Sequence, residues 1–307
     1  MGYLYASKEG ATLEFSGNIQ PSNENVTKNS LNDGFNLVGN PYTCTAYVDQ
    51  PYYTLSQTAE GITSATVATS KTTPINPLTG VVISGNSVTF SKNVPEGSAN
   101  HGNIQMTLAQ TVTTRGGENM ETIDNAIVSF NEGTELEKFY FGNPSANIYI
   151  PQNNEQYAIV SSEARGEMPV CFKANRDGQF TINVNAENVE MSYLHLIDNI
   201  AGKDVDLIAT PSYTFNARTD DFESRFRLVF SANSNENDNE NQNFAFVSDG
   251  QLIVNGTGTL QIIDMTGRVI STKSTEERIS TNGMTAGVYV LQLVNGTDVK
   301  TQKIIVK

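Results

Sequence analysis

The chain has 307 residues, a formal net charge of −14, 38% hydrophobic residues, no Trp and only two His. The acidic balance argues against nucleic-acid binding, which is driven by clustered Lys and Arg, and against attraction to anionic lipid surfaces. No stretch approaches the ~18 apolar residues of a membrane span, and the modest apolar content suits several small sandwiches better than one large core.

At the start, "MGYLYASKEG" lacks the basic and apolar regions of a secretory signal. "YLYA" already has strand character, so Met1-Gly2 reads as an imposed start and the natural protein is expected to extend upstream. "NPYTCTAYVDQPYYTL" then clusters Tyr42, Tyr47, Tyr52 and Tyr53 near two prolines. Aromatic rings exposed on a β surface can stack on a sugar, whereas inside a sandwich they are packing. These four tyrosines are the candidate ligand-binding residues, for a surface glycan or a host protein.

Further along, "SVTFSK", "IQMTLAQ", "NAIVSF", "NIYIP", "QYAIVSS", "PVCFKA", "QFTINV", "YLHLID", "VDLIA", "SYTFNA" and "RFRLVF" recur at short intervals between Gly, Asn, Asp and Pro. Short β-branched and aromatic runs between such punctuation predict strands of antiparallel sandwiches. "NEGTELEKFYF" allows a single turn at most. The expected organisation is a β-rich sandwich-like domain over 1–98, a β-sandwich module over 99–232, an acidic Asn-rich linker over 233–243 and a C-terminal sandwich over 244–307. The linker, within "SANSNENDNENQN", holds too little apolar surface to offset its ordering entropy. The fold class is all-β: tandem antiparallel sandwiches of Ig-like or jelly-roll-like type.

Candidate chemistry is sparse. Cys44 and Cys171 lie far apart with no CxxC and read as small buried hydrophobes. His101 falls in a Gly/Asn loop and His195 within a strand, so neither metal nor Cys-His nucleophile spacing is visible. "IDNIAGKDVD" offers Asp198, Asn199, Asp204 and Asp206 to a calcium ion, but Lys203 lies among them and a structural turn is the favoured reading. No metal and no cofactor is expected. In "LQIIDMTGRVIS", Asp264 precedes Thr266-Gly267 much as an aspartic protease presents its carboxylate. That chemistry needs two copies sharing a proton, and Met265 interrupts the motif. Asp264 reads instead as the first residue of a type I turn closed by a glycine bulge at Gly267.

"LQIIDMTGRVIS", "MTAGVYVLQLVNG" and the terminal "KTQKIIVK" resemble the type A sorting domain of the type IX secretion system, the C-terminal Por secretion tail of Bacteroidetes surface and secreted proteins. The family's opening "YPNP" strand is replaced here by "FAFVSDGQLIVNG". The resemblance implies a tail that directs export across the outer membrane and is often cut off. Asp264, Gly267, Arg268, Gly287, Tyr289, Lys303 and Lys307 would then form recognition surface and fold. It further implies the secretion machinery as a partner and an extracellular or outer-membrane-surface location. The upstream segments are similar to β-rich modules that precede such tails in adhesins, glycan binders and enzymes, which implies an address rather than an activity. The expected function is a non-catalytic region combining adhesion or spacer modules with a sorting domain. The alternatives are a glycan- or protein-binding module, or an accessory region of an enzyme whose catalytic domain lies upstream.

Overall fold

A computed structural model describes residues 25–57, 64–95, 101–114, 117–233, 244–248, 250–254, 256–275, 279–296 and 298–306, with isolated positions 12, 14 and 16. The "YLYA" strand, the boundary at 98/99 and linker residues 234–243 lie outside the described residues. Among the described residues there is no helix, and the all-β expectation holds.

The first unit contains β1 (Val26–Lys28), β2 (Phe35–Gly39), β3 (Tyr47–Val48), β4 (Tyr52–Gln57), β5 (Ser64–Thr69), β6 (Gly80–Ser84) and β7 (Val88–Ser91). They form one sheet in the order β1-β7-β3 and another in the order β2-β6-β4-β5. Val38, Val48, Tyr52, Val81, Ile83 and Phe90 fill the space between them.

The middle unit contains β8 (Asn103–Thr114), β9 (Gly117–Ser129), β10 (Leu136–Glu137), β11 (Ala146–Gln152), β12 (Glu155–Ser161), β13 (Arg165–Ala174), β14 (Gly178–Glu187), β15 (Met191–Asp198), β16 (Lys203–Asp206), β17 (Ser212–Ala217) and β18 (Phe226–Ala232). The hydrogen-bonded path runs β16-β15-β18-β13-β11-β12-β9-β8-β14-β17. It folds over at β11, whose first half pairs with β13 and whose second half pairs with β12. A core including Met106, Ile148, Phe172, Phe180, Leu196, Phe226 and Phe230 lies between the two layers. One ladder departs from the antiparallel expectation: β12 runs parallel to β9, with Ile159 opposite Ile127.

The last unit contains β19 (Ala245–Ser248), β20 (Gln251–Val254), β21 (Thr259–Asp264), β22 (Val269–Ser274), β23 (Ile279–Ser280), β24 (Gly287–Asn295) and β25 (Asp298–Val306). A three-stranded sheet, β19-β20-β23, covers a four-stranded one, β22-β21-β24-β25. Leu260, Ile262, Tyr289, Leu291, Leu293, Ile304 and Val306 alternate onto the shared inner face, as the two-residue strand period requires.

The first two units are joined through a second apolar layer. Tyr52 and Tyr53 are adjacent on β4, so their side chains leave opposite faces of the sheet. Tyr52 enters the core of the first unit. Tyr53, with Ala68 and Val82, packs against Ile127, Leu136, Ala158 and Ile159 of the middle unit. Phe35, Tyr53 and Phe139 pack their rings together across this seam, with centroids 4.7–6.1 Å apart.

Candidate functional site

The sorting-motif residues gather on the last unit. Asp264 ends β21, and the Gly267 N–H donates to its carbonyl at 2.9 Å, closing a four-residue turn. Gly267 has φ +85°, with nothing near the position a Cβ would take, so backbone conformation rather than space demands glycine there. The Asp264 N–H donates to the Arg268 carbonyl at 2.9 Å, so Asp264 faces both Gly267 and Arg268, as in a glycine bulge. A separate register shift between Ile262 and Ile263 leaves Ile270 as an extra residue on β22. Turn and bulge are those expected from the sequence.

The Asp264 carboxylate is consumed by this turn. Its Oδ1 accepts the Thr266 hydroxyl at 2.5 Å, the Thr266 N–H at 2.9 Å and the Arg268 N–H at 3.1 Å. Oδ2 accepts Arg268 Nε at 3.1 Å. The Thr266 hydroxyl first, then the Arg268 N–H and the remaining donors, hold its pKa down at about 2. A carboxylate so engaged is a poor proton acceptor and a good fixed corner.

Tyr289 is buried beneath this corner, and its hydroxyl donates to the Thr285 carbonyl at 2.7 Å. Gly287 opens β24 without positive φ, and the nearest atom to an added Cβ is the Thr285 carbonyl oxygen at 3.8 Å. Lys303 is exposed on β25, while Lys307 lies outside the described residues. On the outer face of the sheet, Ile263, Val290 and Lys303 line up across three strands, with Val288 beside Ile305. Ile305, Val269 and Val299 are exposed there or along its edges. The structure thus divides the motif into a hairpin corner, an inner anchor (Tyr289) and an outer basic and apolar face.

The tyrosine platform is corrected by the structure. Tyr42, Tyr52 and Tyr53 are buried and only Tyr47 is partly exposed, so the four rings present no common surface. Each buried hydroxyl is spent on backbone: Tyr42 donates to the Phe90 carbonyl at 3.1 Å, Tyr52 to the Thr73 carbonyl at 3.1 Å, and Tyr53 to the Glu137 carbonyl at 2.5 Å. Burial pushes the Tyr52 phenol up to about 12. Sequence alone could not separate a platform from packing because β4 is covered on both faces, which erases the polar alternation that marks an exposed strand.

The acidic loop is also committed internally. Asp198 is buried and accepts both Nε and Nη2 of Arg225 at 2.8–3.1 Å, the Tyr213 hydroxyl at 3.0 Å and the N–H groups of Ile200 and Ala201. Burial pushes this carboxyl up, but Arg225 and the other donors outweigh it and hold it below the usual range. Asp204 meets His195 Nδ1 at 2.7 Å, and His195 stacks on Tyr193 with ring centroids 4.1 Å apart. Asp206 caps the N–H groups of Ile208 and Ala209. Cys171 is buried as expected, whereas Cys44 is exposed, a correction that follows from its place in an irregular segment before β3.

Two structures were not foreseen. Asn125 on β9 and Gln302 on β25, both buried, use their carboxamides as surrogate peptide groups. Asn125 accepts the Ala68 N–H at 2.7 Å and donates to the Ala68 carbonyl at 2.9 Å, across the seam between units. Gln302 does the same to Ala245, at 2.7 and 2.5 Å, across the last sandwich. The signal was an amide side chain in line with apolar positions: Asn125 opens the run "NAIVSF", and Gln302 alternates with Ile304 and Val306. Next to the first of these seams lies a cleft of about 690 Å³, lined by Lys71, Thr72, His101, Asn131, Glu132 and Asn188 among others.

Comparison with curated proteins and with solved structures returned no match. Residues 228–307 match the family described as "Secretion system C-terminal sorting domain", a span that begins within β18 and includes the whole last unit. The hairpin corner and the strands around it are therefore those of a type IX secretion sorting domain, and a chain that ends in one is exported to the cell surface or the extracellular space.

Proposed function

We propose that the first two units are a non-catalytic spacer or adhesion stalk of this exported protein, delivered by the sorting domain. The observation that supports this reading is the seam. Apolar layers, a three-ring aromatic contact and a two-bond Asn125–Ala68 link join the units as one stiff piece. A stiff tandem of sandwiches holds a terminal module away from a surface, which a freely jointed pair would not. Incubating the purified chain with panels of glycoside, ester and peptide substrates is expected to give no turnover. Turnover lost in a point variant of this chain would overturn the reading.

The sorting domain meets the secretion machinery, and we assign that contact to the outer face carrying Lys303, Ile305 and the Asp264–Arg268 corner. Removing residues 244–307 is expected to keep the protein inside a host with the secretion system. The pair Lys303→Glu with Ile305→Asp is expected to reduce export without unfolding the tail. Normal export of that pair would remove the assignment.

A second reading, binding of a surface glycan or host protein, moves from the tyrosines to the polar cleft beside the seam. Its hydroxyl, amide and carboxylate lining suits a polyhydroxylated ligand. Titration with surface glycans, with Asn131→Ala and Glu132→Ala as controls, tests it. Binding that ignores both substitutions would place the ligand elsewhere.

A further inference from the structure

The middle sandwich buries a lysine against an aspartate where neither meets solvent. Asp124 lies in β9 beside a bulge: Leu108 pairs with Asp124 but Ala109 with Thr122, leaving Ile123 as the extra residue. Lys138 follows β10, and its N–H is fixed by the Gln156 carbonyl at 2.8 Å. The two side chains are 1% exposed each, and Lys138 Nζ stands 2.6 Å from Asp124 Oδ1. Nζ also reaches the Asn125 carbonyl at 3.2 Å. Around the carboxyl group, the Asn125 N–H donates to Oδ1 at 2.8 Å and the Ile148 N–H to Oδ2 at 2.9 Å. Ile148 is where β11 is about to change partners, so its N–H is aimed at the aspartate.

We propose that Lys138 and Asp124 condense to an intramolecular amide cross-link, with loss of one water. Burial pushes the Asp124 carboxyl up and the Lys138 ammonium down, so a proton passes from Nζ to Oδ1 across their short contact and leaves a neutral amine beside a neutral acid. The amine lone pair attacks the Asp124 carboxyl carbon. Oδ2 takes the negative charge of the tetrahedral intermediate, stabilised by the Ile148 N–H already directed at it. The C–Oδ1 bond then breaks, and Oδ1 leaves as water with a second proton from Nζ. Nitrogen, carbon and Oδ2 remain as the amide. No oxidant or co-reactant enters. What the fold supplies is fixed approach of two groups that react slowly when free in water, together with exclusion of the solvent that would keep them charged. The link would join β9 to the segment after β10, on the strand whose next residue, Asn125, grips the first unit.

The test is the mass of the folded full chain and a digest at glutamates. The expected intact mass is one water below that of the sequence. Cleavage at Glu132, Glu135 and Glu137 separates peptide 122–132 from peptide 138–155, so the two are expected to be recovered joined. Lys138→Arg is expected to restore the full mass and release both peptides separately. Should that variant fail to fold, the digest of the unaltered chain decides alone. Two separate peptides at full mass would overturn the proposal. So would a water lost as a succinimide at Asp124-Asn125, which leaves the peptides unjoined.

Discussion

The Asn125 carboxamide can be removed with a predictable cost. β5 is the edge strand of its sheet, and at Ala68 its outward N–H and C=O are satisfied by one side chain from the neighbouring unit. Both residues are buried, with Asn125 fully inaccessible. In Asn125→Ala two backbone groups lose their partners. At about 1–3 kcal/mol for each orphaned group, the loss is about 2–6 kcal/mol, less whatever water recovers by entering the space. Urea unfolding of the full chain should show that decrease, and hydrogen exchange should show β5 amides, Ala68 first, losing protection. Asn125→Asp sharpens the test. An introduced carboxylate accepts the Ala68 N–H but repels the Ala68 carbonyl, whereas the protonated acid can do both jobs. Burial raises its folded pKa, so the variant should be nearest to the parent below about pH 4 and lose stability as pH rises above it. A change under about 0.5 kcal/mol in Asn125→Ala, with Ala68 still protected, would refute the idea that this amide holds the seam.

Arg225→Leu should destabilise the middle sandwich by about 3–5 kcal/mol near neutral pH, because it strands the buried Asp198 carboxylate. In the parent, Asp198 contributes stability above its unfolded pKa that is lost as pH falls through its depressed folded value. In the variant the folded pKa rises instead, so thermal melts should bring the two proteins closer in acid. Asp264 should titrate near pH 2 by carbon-13 NMR, and a midpoint in the ordinary carboxylate range would mean that the hairpin corner is not formed as described. Gly267→Ala should cost about 1–2 kcal/mol because its φ is +85°, while Gly287→Ala should be nearly neutral; equal effects in denaturation would contradict the backbone argument.

Much of the strand pattern was readable. "QFTINV", "YLHLID" and "SYTFNA" lie within β14, β15 and β17, since β-branched and aromatic runs between turn residues have few other stable states. The corner at Asp264 was readable to the level of its bulge, because an Asx side chain and a positive-φ glycine encode the turn locally. "VDLIA" was only half a strand: β16 stops at Asp206, whose carboxylate accepts the N–H groups of Ile208 and Ala209 and turns the chain. What stayed hidden depends on partners distant in sequence. Nothing near Tyr53 announces that its sheet face is covered by residues 127–159. Nor does anything near Asn125 point to Ala68, 57 residues away. The parallel β9–β12 ladder is likewise a property of how β11 crosses between layers, not of either strand's composition.

Asp124 and Asp198 show how one residue type in one sandwich is driven in opposite directions. Both are buried, and burial alone would raise both pKa values. Asp198 faces a guanidinium that stays charged in proteins and presents a planar fork, and it gathers two N–H groups and a phenol besides. Its charge is preserved, and the pair serves as a rigid pin. Asp124 faces a primary amine, which yields its proton when desolvated, so the pair can become neutral. An arginine in that place would make another pin, because a charged guanidinium is no nucleophile. A lysine makes a pair capable of bond formation. The distinction rests on the partner's chemistry and the donors it brings rather than on solvent exposure, which is near zero at both carboxylates.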